Sequence, residues 1–131
     1  MATFTNSPTV TDIKLKRKSR LLDITFDTGE TYQLSCEILR VYSPSADVHG
    51  HGKPVLVTHK KQVNINTLEA VGNYAVKITF DDGHNTGLFS WKLLHELASN
   101  QVELWENYLS RLRAAKASRE PLIEMVVKYH Q

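Results

Sequence analysis

Ile78-Thr79-Phe80-Asp81-Asp82-Gly83 repeats, 54 positions on, the stretch Ile24-Thr25-Phe26-Asp27-Thr28-Gly29. With one residue inserted, Leu34-Ser35-Cys36-Glu37-Ile38-Leu39 returns as Phe89-Ser90-Trp91-Lys92-Leu93-Leu94. Each copy alternates apolar and polar residues, turns on an acidic-glycine step, runs through a second short strand, and reaches a serine that can accept from open helix amides. Two unrelated hairpins that each need glycine at positive φ would share the turn letters, but not the helix cap behind them. The repeat is therefore read as a duplicated strand–turn–strand–helix unit. The copies differ just after the turn glycine, with Glu30 in the first and His84 in the second.

Outward from the repeat, Ile13 and Leu15 alternate with Lys14 and Lys16, which predicts a strand ahead of the first hairpin. Gln62 to Ile65 leads into the matching strand near Leu68, and Gly72-Asn73 turns it back. Val102, Trp105, Leu109 and Leu112 recur at helical intervals. Acids (Glu103, Glu106) precede bases (Arg111, Arg113, Lys116), as the helix dipole favours, and Asn100 with Glu103 has capping-box spacing. The expected fold is α+β: a duplicated strand-strand-strand-helix unit forming antiparallel sheet, with a C-terminal helix over 100–117 packed against it. Ile24, Phe26, Ile78, Phe80, Leu94, Trp105 and Leu109 are the expected core. Residues 1–9 form a lead-in, 10–118 one domain, and 119–131 a tail whose few apolar residues suit helix and strand equally.

The 131 residues are enough for one hydrophobic core without disulfide or metal staples. A hydrophobic share of 41% with 23% charged residues argues for an ordered globular chain. The net charge of +2 sets up no strong field toward nucleic acid. Lys14, Lys16, Arg17, Lys18 and Arg20 crowd a hairpin tip, but no aromatic residue is interleaved for base stacking, so the tip is read as solvated and no nucleic-acid partner is expected. Cys36, the single cysteine, falls on the apolar side of a helix, where a buried hydrophobe is expected. The absence of a basic-then-apolar leader and of any long apolar run gives the expectation of a cytoplasmic protein with no membrane contact.

Six histidines invite a metal reading. His49 and His51 lie in the run Ser43 to Pro54, whose glycines and prolines mark a loop, and His84 lies in the second turn. Imidazoles two apart on a loop can share one ion with a third ligand brought in by the fold, so His84, His51 and His49 form the candidate metal set. Asp81, Asp82 and His84 also make a conceivable acid–base set, against which Asp-Asp-Gly is ordinary turn chemistry. A Gly-x-Ser-x-Gly elbow, a phosphate loop and a His-x-Asp/Glu triad are missing, and His95-Glu96 is followed by Ser99 where a zinc helix needs histidine. The expectation is a binding or accessory domain and not an enzyme.

Leu39-Arg40-Val41-Tyr42-Ser43-Pro44-Ser45-Ala46, Val71-Gly72-Asn73-Tyr74-Ala75-Val76 and the run from Phe80 to Trp91 resemble a bacterial family of unknown function similar to the N-terminal domain of gamma-butyrobetaine hydroxylase. The resemblance spans about residues 10 to 115. It implies a non-catalytic domain, which in the hydroxylase precedes an oxygenase domain dependent on iron and 2-oxoglutarate and carries zinc on three cysteines and one histidine. The same domain is also joined to P-loop iron–sulfur carrier ATPases, so the implied partners are such an oxygenase or such an ATPase, the latter pointing to an accessory of iron–sulfur cluster assembly. The zinc cysteines fall on Ser43, Ser45 and Val48, and the histidine on His84. Hydroxyls and a valine do not replace thiolates, so no cofactor is required, and any zinc or iron is expected to be held weakly by His84 with His49 or His51.

Overall fold

The structure is a computed structural model and describes residues 8–44, 56–83 and 87–122. Strands β1 (Val10–Lys16), β2 (Leu21–Phe26) and β3 (Thr31–Ser35) form one antiparallel sheet in that order and lead into helix α1 (Cys36–Val41). Strands β4 (Ile65–Val71), β5 (Ala75–Phe80) and β6 (Gly87–Ser90) form a second sheet in the same order and lead into α2 (Trp91–Ser99). Helix α3 (Gln101–Ala115) follows.

The duplication holds in backbone detail. Val10 pairs with Phe26 and Ile65 with Phe80, and each ladder then slips by one residue at the same place, between Val10 and Asp12 and between Ile65 and Thr67. Asp27 donates its amide to the Thr9 carbonyl while its side chain accepts from the Thr9 amide; Asp81 does the same with Asn64. Gly29 (φ 93°) and Gly83 (φ 82°) make the turns in the left-handed region, where a Cβ is strained. Ser35 accepts from the Ile38 amide at 3.0 Å and Ser90 from the Leu93 amide at 3.1 Å, so both helices begin on a serine cap.

Alternation puts Leu22, Ile24 and Phe26 of β2 and Val76, Ile78 and Phe80 of β5 into one core, closed by Leu39 of α1 and Leu94 and Leu97 of α2. Each such side chain contributes about 1.5–3 kcal/mol by leaving water. A smaller core joins Val41 and Val57 to Tyr108 and Leu112 of α3.

Helix α3 departs from the sequence reading. Its buried stripe runs through Tyr108 and Leu112, Trp105 and Leu109 are only half-buried, and Val102 is 76% exposed. Tyr108 fixes the rotation by donating its hydroxyl to the Val57 carbonyl at 2.7 Å, and the Leu104 carbonyl accepts from Tyr42 at 2.8 Å. Asn100 makes no side-chain cap for α3. With one residue between the helices, its side chain turns back and donates to the Glu96 carbonyl at 2.9 Å, ending α2 instead. Among the described residues no helix is long and apolar enough to cross a membrane.

Candidate functional site

Helices α1 and α2 each carry one polar side chain to the turn of the opposite unit. His95 stands five residues after the Ser90 cap, and its Nε2 lies 3.1 Å from Glu30 Oε1 in the first unit's turn. Arg40 stands five residues after the Ser35 cap, and its Nε donates at 2.8 Å to Asp82 Oδ2 in the second unit's turn. The two ends of the molecule are thus equivalent in construction and different in chemistry.

At the first end Glu30 accepts from Thr28 at 2.7 Å and from the Tyr32 hydroxyl at 2.8 Å, and the Phe26 and His95 rings meet edge to face at 5.0 Å. The Thr28 hydrogen bond, then those of Tyr32 and His95, hold the Glu30 carboxyl below the usual carboxylate range, and the same Glu30 contact pushes the Tyr32 phenol up.

At the second end Asp82 Oδ2 also takes Lys60 Nζ at 2.7 Å, so one carboxylate faces two cations. Ser43 is buried against Gly87. Gly87 pairs with Ile78 where Tyr32 pairs with Ile24 in the first unit. A Cβ at 87 would run into Ser43 Oγ and come within 2.9 Å of Phe89 Cε1, so the small residue makes room for the serine.

The metal candidates His49, His51 and His84 lie outside the described residues, as do Ser45 and Val48. Among the described residues no three His, Cys, Asp or Glu side chains converge as a metal ion requires. Asp81 is held by the Asn64 amide at 3.0 Å and Asp82 by Arg40 and Lys60, so both carboxylates of the conceivable acid–base set already have partners. Cys36 is fully buried, its Sγ lies 3.7 Å from Asn64 Oδ1, and burial pushes its thiol up to about 11.

The basic tip is not simply solvated. Arg17 donates to the Ile65 carbonyl at 2.7 Å and the Asn66 carbonyl at 3.0 Å, and Arg20 to the Gln62 carbonyl at 3.0 Å, so two cations cap the start of β4 in the other unit. Lys16 pairs with Asp23 at 3.0 Å. A further feature missed from sequence is Glu37, buried at 5% exposure on α1 and clasped by Arg119. A glutamate one position past a cysteine read as buried was the available signal; its partner lies too far along the chain to be named by spacing.

A duplicated α+β domain with helices exchanged between hairpin ends is the class these observations define. The model of the family described as "Gamma-butyrobetaine hydroxylase-like, N-terminal" matches residues 13–95, and the chain belongs to that family. One protein solved in solution by NMR is 72% identical over 100% of this chain and 99% of its own, with a TM-score of 0.79. A second NMR structure is 43% identical over 96% of this chain and 100% of its own, also at 0.79. A crystal structure of a protein with unknown function, of the DUF971 family from Acidithiobacillus ferrooxidans, is 36% identical over 68% of this chain and 91% of its own, at 0.59. No curated protein matches the chain.

Proposed function

We propose that the chain is a non-catalytic accessory domain that docks a protein partner through the end built from Arg40, Ser43, Lys60 and Asp82. The observation that carries this is the double clasp of Asp82 by Arg40 and Lys60. A carboxylate committed to two cations is costly to free for proton transfer; Arg40 and Asp82 are mostly buried and fix Lys60, the more exposed of the two cations, as the charge that a partner's acidic group can reach. Resemblance supplies the partner classes, an iron- and 2-oxoglutarate-dependent oxygenase or an iron–sulfur carrier ATPase. Binding of the purified chain to one protein of each class, followed by interferometry, tests this. The Lys60→Glu variant should bind at least about tenfold more weakly, as reversing a charge in an interface does. Absence of binding to both classes, or equal binding by the variant, refutes the reading. A metal-handling role in iron–sulfur assembly is the rival implied by resemblance, and elemental analysis of untagged protein separates the two: a stoichiometric metal favours the rival.

A further inference from the structure

The internal repeat lets one end of each unit be compared with its counterpart. In the first unit the Cys36 amide donates to the Arg20 carbonyl at 2.9 Å, and in the second the Trp91 amide donates to the Tyr74 carbonyl at 2.9 Å. Trp91 therefore stands in the place of Cys36, Lys92 in that of Glu37, and Tyr74 in that of Arg20. The shared Asp27 and Asp81 contacts equate Thr9 with Asn64, and hence Pro8 with Val63.

In the first unit this place is filled. Val63, Cys36 and Glu37 are buried. A strap of the chain's own C-terminal segment runs beside this place: His59 donates its amide to the Ser118 carbonyl at 2.9 Å, and Lys61 donates its amide to the Arg119 carbonyl at 3.0 Å. The strap delivers the Arg119 guanidinium to Glu37. In the second unit the same place is a cleft of about 240 Å³ lined by Pro8, Thr9, Tyr74, Ser90, Trp91 and Lys92. Tyr74 is 56% exposed, Lys92 is exposed, and the Trp91 indole is steadied by donating to the Asn73 carbonyl at 2.7 Å.

We infer that this cleft docks an extended segment of a partner protein, a counterpart of the 118–120 strap with its charge reversed: a carboxylate side chain for Lys92, next to an apolar residue for the Tyr74 and Trp91 faces. Charge complementarity selects the occupant. Where Glu37 takes a cation, Lys92 takes an anion. Rigid aromatic walls favour a proline or aliphatic neighbour, as in other grooves that hold extended peptides. Residues 1–7, which join the chain at Pro8, contain no carboxylate and cannot meet Lys92 in this way. The inference rests on reading the chain as a binding domain but uses a different face, so Lys60→Glu and Lys92→Glu report on the two proposals separately.

The test uses the full chain, labelled with ¹⁵N, and a blocked peptide that copies Ser118 to Leu122 with Glu in place of Arg119. Amide and indole shifts of Tyr74, Trp91 and Lys92 should move and saturate. Lys92→Glu, at an exposed site, should keep the dispersed spectrum and bind this peptide at least about tenfold more weakly, while gaining affinity for the peptide with the original arginine. Three outcomes overturn the inference: no saturable shift, equal binding by both chains, or shifts confined to the surroundings of Glu37. Perturbation by Lys92→Glu of the signals of residues 123–131 in the unliganded chain would assign the cleft to its own tail, and would overturn it as well.

Discussion

Glu37 and Arg119, 82 positions apart, meet in two parallel hydrogen bonds of 2.8 Å, with the guanidinium also 4.8 Å above the Trp105 ring. The pair ties α1 of the first unit to the segment that follows α3, and the Glu37 contact is the first cause holding the Arg119 guanidinium more firmly protonated than usual.

Removing only the cation leaves a buried carboxylate without its partner. Arg119→Ala should therefore destabilise the fold by about 3 kcal/mol. Glu37→Met with Arg119→Leu should cost clearly less than the sum of Glu37→Met and Arg119→Leu made singly, which with the parent chain completes a four-protein cycle. Urea unfolding of the four proteins checks this; additive losses would show that the two side chains act independently.

Phe80 is 1% exposed between the sheets, whereas Leu88 of β6 is 48% exposed. Phe80→Ala should cost about 3–5 kcal/mol and Leu88→Ala no more than about 0.5 kcal/mol. Similar losses at both positions in thermal or urea unfolding would contradict the assigned faces.

The two hairpins, their glycine turns and both serine caps were legible in the sequence because their signals, period-two alternation, an acidic-glycine turn and a serine ahead of a helix, are each local and occur twice. The α3 stripe was misjudged because a hydrogen bond from Tyr108 to Val57, 51 positions away, fixes its rotation. Arg17 and Arg20 read as solvated cations because their acceptors are backbone carbonyls of the other unit, which leave no mark in side-chain patterns. Of the candidate site, Asp81 and Asp82 were correctly read as turn residues, while the cations on Asp82 come from α1 and from the approach to β4. Among the histidines, His95 bridges to Glu30, and His59 lies 2.7 Å through Nδ1 from the Glu120 carbonyl.

Cys36 should resist alkylation in the native protein. Burial pushes its thiol up to about 11, so at pH 8 the reactive thiolate is scarce and inaccessible. Because the folded value is raised, folding is favoured below the unfolded thiol range, near 8.5, and that contribution is lost as pH rises through the folded value. Modification followed by mass spectrometry should become fast only in denaturant; rapid labelling of the native chain would refute the burial.

Glu30 has the opposite sign. Its lowered folded value means that stability is present above the ordinary carboxylate range, near 4.3, and is lost as pH falls through the folded value. Glu30→Gln should remove part of this acid sensitivity, so its melting temperature should fall less than that of the parent chain between about pH 5 and 3. Parallel acid profiles would exclude Glu30 from the linkage.

The Ser43 end should fold without metal. Ser43, where the resemblance implies a thiolate, is buried, and a serine hydroxyl is a poor zinc ligand beside a cysteine sulfur. Arg40 and Lys60 sit together on Asp82, and two cations oppose a divalent ion in the same corner. The melting temperature should be the same with and without excess chelator, while Gly87→Ala, which crowds Ser43 and Phe89, should destabilise by about 1–3 kcal/mol. Any metal taken up through the candidate histidines should be released as pH falls through roughly 6.5, where free imidazoles protonate. Calorimetric scans with chelator and with added zinc decide the matter: a melting temperature lowered by chelator would place a structural metal at this end and overturn the assignment of Ser43.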